Sequence, residues 1–248
     1  MERKIIASQS TLDKRLKPLT GLQANSFMLN ILYEDEAILV CIKEAGVATQ
    51  TKQMGQKDME SILKNYRVSK GEPPYVGIVH RLDQPVSGVM VFAKTKEAAA
   101  DLSKQITTKA ADKFYYALTD GVPETKHSLK AGCGTLEDYL LRDGKANISK
   151  VVTKGTEGAK RAELSYEVLS QNGSRAIVRI KLETGRHHQI RVQMANAGCP
   201  LVGDKKYNFK ENMKNSYGTL SLCSYKIAFK HPVTKKKMEF EIPNPFSL

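Results

Sequence analysis

The sequence lacks the features of a protein that spans a membrane or is exported. None of its apolar runs approaches the roughly 20 residues of a membrane-spanning helix, and its N-terminus has no apolar signal-peptide core. Its four cysteines are scattered without Cys-x-x-Cys spacing, which favours reduced, mostly buried thiols over zinc ligands or disulfides. We therefore expect a cytoplasmic protein that does not enter a membrane.

Common cofactor and metal motifs are also absent. The sequence has no Walker A segment and no His-Glu-x-x-His, and the Gly-Cys-Gly at 132–134 lacks the third glycine of a dinucleotide site. His187 and His188 are adjacent, which would place them on different faces of a helix, and no acidic or cysteine partner stands at ligand spacing. The sequence thus predicts neither a metal nor a cofactor.

Acidic residues are scarce relative to basic ones. The chain has 26 Asp and Glu against 39 Lys and Arg, a net charge of +13, and a sequence pI near 9.5. Such an excess indicates a polyanionic partner, nucleic acid first and an anionic membrane second. Two lysine-rich segments, 142–161 and 235–237, could contact phosphate or simply form solvated surface.

The 248 residues suit one large domain, or one domain with a small appendage. Residues 1–27 are basic and weakly patterned, and we assign them to an N-terminal extension that is either a flexible arm or a docked strand. Residues 28–248 are assigned to the main domain, and we expect a monomer.

Hydrophobic periodicity predicts many strands and few helices. The expected elements are a hairpin over 31–42, a helix behind Asp58 that ends near Gly71, a helix capped by Thr95, a strand over 113–118, a hairpin over 164–182 that turns at Asn172-Gly173, a helix that stops at Gly198, and a closing strand–turn–strand after Leu220. This strand-heavy, hairpin-rich pattern with few helices is typical of an α+β protein.

The stretch 76–95 contains the polar residues that are the strongest candidates for catalysis. Two apolar, strand-like runs flank His80-Arg81-Leu82-Asp83, which is followed by Pro85 and Gly88. A carboxylate on a short loop between buried strands, with an arginine two residues away, is a common arrangement for a catalytic acid or nucleophile. From these residues alone, an alternative stays open in which Asp83 caps a turn and pairs with Arg81 at the surface.

Several segments together resemble one enzyme family. HRLDQPVSG is similar to the HRLD-x-x-[TS]-S-G signature of the RluA-type pseudouridine synthases. LYEDEAILVCIKEAG, KFYYAL, LETGRHHQIRVQMANAGCPLVGDKKY and LSLCSYKIAFKHP resemble the family's other signatures, and all stand in the family's order. The sequence departs from the usual residues at Glu44, Val86 and Cys223, and its first 30 residues are too few for the S4-type domain of many relatives.

The resemblance implies the pseudouridine synthase fold over the domain 28–248, which is an α+β fold with a mixed, largely antiparallel central sheet flanked by helices and loops. It also implies an activity that isomerises uridine in structured ribosomal or transfer RNA. It implies that Asp83 is catalytic and that Arg191 pairs with it. Further substrate-binding residues would be Arg81, Tyr115, which stacks on the base, and Leu222, which packs near it. Residues that support the site would be His80, Arg186, His188 and Gln189.

The chemistry of this isomerisation needs no cofactor, because the N1–C1′ bond breaks, the base turns and C5 rejoins the sugar without oxidation. The target base must leave its stack, and an aromatic ring offsets part of that cost. Asp83 could act as a nucleophile or as a base. Two other functions stay open: an RNA-binding module without activity, and a glycosidase that releases uracil, although the latter normally uses two carboxylates.

Overall fold

The computed structural model describes residues 3–6, 29–51, 55–123, 132–209 and 219–248. The chain divides into two compact units. The first unit comprises Met1–Ala111 and Ser224–Asn244, and the second comprises Asp112–Cys223 and Pro245–Leu248. Most of the predicted N-terminal extension, with its boundary near residue 28, lies outside the described residues.

The described strands are β1 (Arg3–Ile6), β2 (Asn30–Glu34), β3 (Ile38–Lys43), β4 (Gly77–Ile78), β5 (Ser87–Ala93), β6 (Asp112–Asp120), β7 (Cys133–Asp143), β8 (Ile148–Val152), β9 (Lys160–Asn172), β10 (Arg175–Leu182), β11 (Leu222–Lys230) and β12 (Lys237–Glu241). The described helices are α1 (Met59–Ser69), α2 (Lys96–Thr107) and α3 (Gln189–Asn196). The predicted α+β class with largely antiparallel strands and few helices is confirmed. None of the described helices is long and apolar enough to cross a membrane.

The strands of the first unit follow the order β2-β3-β5-β11, with β12 beside β11 and β4 beside β5. β1 pairs in parallel with β12, so these four residues form a docked strand, one of the two alternatives left open for the N-terminal segment. The predicted hairpin over 31–42 is confirmed by the antiparallel pairing of β2 with β3. β3, β5, β11 and β12 supply the core of this unit, which includes Val40, Val91, Ile227 and Phe240.

Both helices of the first unit begin where local capping predicts. Asp58 and Ser61 form a capping box at the start of α1, and the Thr95 side chain accepts a hydrogen bond from the Ala98 backbone N–H at the start of α2. α1 buries Met59 and Leu63, and α2 buries Ala98 and Leu102. Each helix therefore buries apolar residues on one of its faces.

The second unit has the antiparallel strand order β6-β10-β9-β7-β8. The predicted hairpin over 164–182 is confirmed, because Leu164, Tyr166 and Val168 of β9 lie opposite Leu182, Ile180 and Val178 of β10. The stretch 142–161 contains the end of β7, all of β8 and the start of β9. Strand β8 pairs only with β7 in the order above, and its single lysine, Lys150, stands among the β-branched residues Ile148, Val151 and Val152.

One glycine of the first unit is required by close packing. Gly88 has φ +131, and a Cβ built on it would lie 2.2 Å from the backbone oxygen of Ser224. We expect Gly88→Ala to lower the free energy of unfolding by about 2–3 kcal/mol, since the backbone must leave both the left-handed region and this contact. Urea denaturation would measure the loss. Gly144→Ala is the matched control, because no atom lies within 4 Å of its added Cβ; equal midpoints for the two variants would contradict the expectation.

Candidate functional site

The loop that carries Asp83, residues 79–86, is fixed in the first unit by buried neighbours on both sides. Leu82 and Val86 are 6% and 2% exposed, whereas Asp83 between them is half-buried. The Thr49 hydroxyl donates to the Leu82 carbonyl over 3.0 Å and accepts from the Leu82 N–H over 3.2 Å. The Val86 N–H donates to the Asp83 carbonyl over 3.0 Å and closes the turn. The carboxylate is thus presented from a rigid loop, as the flanking apolar runs predicted.

Val86 is one departure from the family signature, which usually has Thr at this position. Val86 is 2% exposed. An aliphatic side chain suits such a position, because it leaves no buried hydroxyl that needs a hydrogen-bond partner.

Lys43 lies beneath the Asp83 loop and is among the largest fully buried side chains of the described residues. Its ammonium donates to the carbonyls of Glu44, Val47 and Gln84 over 3.0, 2.6 and 3.1 Å. Burial lowers the pKa of Lys43 to about 8, and the negative charges of Asp83 and Glu44 act in the opposite direction. The loop therefore rests on an interior cation, which the residue pattern alone did not indicate.

We expect Lys43→Met to lower the free energy of unfolding by about 2 kcal/mol, because the change removes the donor that these carbonyls share. Activity should fall as well, since the Gln84 carbonyl next to Asp83 loses one of its two donors and keeps the Gly46 N–H, at 2.8 Å. Chemical denaturation and a product assay would measure both. The exposed Lys57→Met serves as the control, and an unchanged stability of Lys43→Met would contradict the expectation.

The same lysine predicts a pH dependence with a definite sign. Because the folded-state pKa of Lys43 is about 8 and its ordinary value is 10.5, the unfolded chain binds more protons between these values. The wild type should therefore gain stability relative to Lys43→Met as the pH rises from about 8 to about 10.5. Urea midpoints of both proteins at several pH values would test this, and a difference that stays constant would contradict it.

His80 and Arg81 stand at the start of the loop and have different roles. His80 Nε2 accepts from the Val91 N–H of β5 over 3.1 Å, which ties the loop to the sheet of the first unit. Arg81 is exposed, and its guanidinium donates to the Gln50 side-chain oxygen over 3.0 Å. It borders an open cleft of about 300 Å³ that is lined mainly by polar side chains, among them Gln56 and Gln84. His80 is thus a support of the loop, and Arg81 faces a polar cleft that solvent can enter.

In the second unit, Arg191 forms a buried ion pair that the residue pattern did not predict. Its Nε and Nη2 donate to the two carboxylate oxygens of Asp204 over 2.8 and 2.7 Å, and the residues are 4% and 1% exposed. The guanidinium carbon also lies 5.2 Å from the Tyr207 ring centroid. Arg191 is therefore held in one orientation. Asp204 lies in the segment LVGDKKY, which resembles a family signature, so the sequence could have drawn attention to this residue. That segment alone assigns no role to its carboxylate.

His187 and His188 do not lie on different helix faces, so that part of the sequence interpretation is wrong. His188 has a left-handed backbone with φ 53 and immediately precedes α3. This turn stacks the two rings with centroids 3.8 Å apart. Across the described residues, no group of three or more His, Cys, Asp or Glu side chains could hold a metal ion.

His188 is a buried and neutral member of a hydrogen-bond network. Its Nδ1 lies 2.8 Å from the Tyr207 hydroxyl, which in turn accepts from the Ser149 N–H over 2.7 Å. Burial, followed by the positive charge of Arg191, lowers the pKa of His188 to about 2. His188 therefore supports the orientation of Tyr207, and Tyr207 contacts Arg191.

Gln189 and Arg186 brace the segment that leads into α3. The Gln189 side-chain oxygen accepts from the Thr184 hydroxyl over 2.8 Å and from the Arg186 N–H over 2.9 Å. Its amide nitrogen donates to the Glu163 carbonyl over 3.0 Å. The Arg186 guanidinium donates to the Arg161 carbonyl over 2.9 Å. Both residues thus link the turn before α3 to β9.

Tyr115 and Leu222 are both buried residues of the second unit. Tyr115 is 5% exposed on β6, where it pairs with Ile180 of β10. Leu222 is 4% exposed at the start of β11, and its N–H donates to the Leu220 carbonyl over 3.0 Å. Cys223, where the family usually has His, is also buried. These positions agree with a stacking and packing role, and equally with ordinary strand core.

Comparison with known proteins identifies relatives over most of the chain. A family model for RNA pseudouridylate synthase matches residues 37–196. The uncharacterized RNA pseudouridine synthase YhcT of Bacillus subtilis is 34% identical over 220 residues, 88% of this chain and 69% of the relative. The ribosomal large subunit pseudouridine synthase D of Pseudomonas aeruginosa is 33% identical over 235 residues, 90% of this chain and 70% of the relative.

A solved structure shares the fold at lower sequence identity. Human RNA pseudouridylate synthase domain containing 1 superposes with a TM-score of 0.71 and 23% identity, and the match covers 91% of this chain and 88% of that one. This likeness confirms the fold that the sequence signatures implied.

Proposed function

Because the chain belongs to the RNA pseudouridylate synthase family, we propose that it isomerises specific uridines in structured RNA with Asp83 as its catalytic carboxylate. The chain is an isomerase that acts on RNA. The role proposed for Asp83 is supported by its half-buried position on a loop that Thr49 and Lys43 anchor. A reacting group must be held in one geometry, and this loop supplies that rigidity.

The isomerisation also requires residues that keep Asp83 ionised and that bind the target nucleotide. We propose that Arg191 is the guanidinium that pairs with Asp83, since an opposite charge favours the ionised carboxylate. The bidentate contact with Asp204 supports this role, because it orients Arg191 in advance. Tyr115 is proposed to stack on the extruded base and Leu222 to pack beside it. Arg81, exposed beside the polar cleft, is proposed to bind phosphate or to fill the space that the base has left.

The proposed target is large-subunit ribosomal RNA, with transfer RNA as the second candidate. Relatives named as ribosomal large subunit pseudouridine synthases support this choice, as does the net charge of +13. The protein is further proposed to act as a monomer in the cytoplasm, which sedimentation and localisation of a tagged chain would test.

Mapping of pseudouridine in cellular RNA, with and without this protein, tests the assignment. We expect at least one modified site in ribosomal or transfer RNA to disappear when the protein is removed and to return when it is restored. Mass analysis of RNA treated in vitro should show isomerised uridine without loss of the base. Release of free uracil would instead identify a glycosidase and would contradict the proposal.

A further inference from the structure

Six lysines of the first unit gather on one surface. Lys104 and Lys109 come from the end of α2 and the residues after it, and Lys230, Lys235, Lys236 and Lys237 come from the turn that joins β11 to β12. We call these six residues the lysine surface. All six are exposed, and Asp101 is the one acidic residue within the two segments 101–109 and 230–237.

Side-chain contacts hold the helix and the turn together. The Gln105 side chain donates to the Lys230 carbonyl over 2.7 Å and accepts from the Lys230 N–H over 2.8 Å. Lys235 is ion-paired with Asp101. The buried His231 braces the turn from inside, because its Nδ1 accepts from the Thr234 N–H over 3.0 Å. The lysines are therefore presented from fixed backbone positions.

The arrangement of these lysines is unfavourable for folding alone. Lys230 and Lys237 lie directly opposite each other on β11 and β12, and like charges in such cross-strand pairs are destabilising. Lys109 and Lys235 have left-handed backbones, with φ 60 and φ 58, which are strained for residues other than glycine. The helix dipole of α2 accounts for Lys104, and the ion pair with Asp101 accounts for Lys235.

The lysine surface lies at the opposite end of the first unit's sheet from Asp83. β5 begins just after the Asp83 loop and ends at Ala93, which pairs with Ile38 of β3. Asp35, at that same end, accepts from His231 of the turn over 2.8 Å. The seven residues of β5 separate the two ends, a distance of roughly 20 Å.

We infer that the lysine surface is a second RNA-binding surface, which contacts the phosphate backbone of the substrate roughly 20 Å from the target uridine. The choice of RNA as the ligand of this surface rests on the proposed function. An enzyme that acts on RNA binds the phosphate backbone of its substrate in every turnover. The lysines that are unfavourable for folding would strengthen RNA binding, because each phosphate that a lysine neutralises releases counterions. The surface carries no catalytic group, so it acts on affinity alone.

The test compares two double variants of equal charge. Lys236→Ala/Lys237→Ala removes two lysines of the surface, and Lys70→Ala/Lys96→Ala removes two lysines elsewhere in the first unit. Binding to a transcript of large-subunit ribosomal RNA would be measured by filter retention over a range of salt. We expect the first variant to bind about tenfold more weakly, with a salt slope smaller by about 0.9 for each phosphate that is no longer neutralised. Its kcat at saturating RNA should be unchanged, and the second variant should bind like the wild type.

Two further measurements sharpen the test. Lys236→Arg/Lys237→Arg should restore binding because it keeps both charges, and its failure to do so would overturn the proposal. A short stem-loop that cannot extend roughly 20 Å from the target should bind the wild type and the first variant equally. Equal binding of the long transcript by both alanine variants would overturn the proposal, as would a loss seen only with anionic phosphatidylserine vesicles.

These outcomes separate the surface from the proposed function. If pseudouridine forms and the turn lysines do not affect binding, the surface proposal alone is wrong. If the turn lysines control RNA binding but no RNA gains pseudouridine, the isomerase proposal is wrong while the surface stands.

Discussion

Asp83→Asn is expected to reduce pseudouridine formation on the order of 10⁴-fold or more. The change keeps the shape of the side chain but removes the charge and the nucleophilic or basic oxygen, and loss of such a group typically costs this much. RNA affinity should change little, because phosphate contacts are made elsewhere. A tritium-release or mass-based product assay, together with filter binding, would measure the two effects separately.

Asp143→Asn is the matched control for this change. Asp143 is a half-buried carboxylate that accepts hydrogen bonds from the N–H groups of Lys145 and Ala146 in a turn. Its loss should leave product formation close to that of the wild type. If Asp83→Asn kept making pseudouridine at a comparable rate, Asp83 would not be the catalytic residue. If neither the wild type nor the variant made product while both bound RNA, the chain would be a binding module without activity.

Asp204→Ala is expected to lower the free energy of unfolding by about 3–5 kcal/mol and to reduce product formation. Arg191 is 4% exposed, and removal of its partner leaves a buried charge without compensation from that carboxylate. The carboxylate also accepts from the Lys206 N–H over 2.9 Å, so the turn before Tyr207 is loosened as well. Urea denaturation would give the stability loss, and the product assay would give the loss of activity.

An exposed ion pair of the same geometry provides the control. Arg161 donates to Glu137 through two bonds of 2.9 and 2.7 Å on the surface of the second unit. Glu137→Ala should shift the unfolding midpoint little, since solvent screens exposed charges. A similar loss for the two variants would show that burial is not the cause.

The double variant Arg191→Met/Asp204→Leu separates stability from catalysis. Replacement of a buried ion pair by apolar residues of similar size is often neutral or stabilising, so part of the lost stability should return, although the Lys206 N–H stays without its carboxylate acceptor. Activity should not return, because the guanidinium proposed to pair with Asp83 is absent. Recovery of both would contradict the proposed role of Arg191.

Local interactions explain why much of the fold could be predicted from the sequence. The hairpin of β9 and β10 was predicted because alternate residues of each strand are buried, as Leu164 and Tyr166 are. The starts of α1 and α2 were predicted because Asp58 and Thr95 cap N–H groups only three residues ahead. The position of Asp83 on a short loop was predicted from the apolar runs around it.

Other features could not be predicted in this way, because they depend on partners from distant segments. The left-handed backbone of His188 accompanies a contact with Tyr207, 19 residues away. The residue pattern before α3 does not contain that partner, so it resembles the continuation of a helix.

The sequence by itself determined the two predicted hairpins, the starts of α1 and α2, the surplus of positive charge and the family, because each of these depends on residue types and their spacing. Only the tertiary structure decided that Lys43 would lie buried on carbonyls that include Gln84, 41 residues away, and that Arg191 would be held by Asp204. A buried charge is stable only where the folded chain brings acceptors together away from water. That environment is assembled by many segments at once, so no single stretch of sequence encodes it.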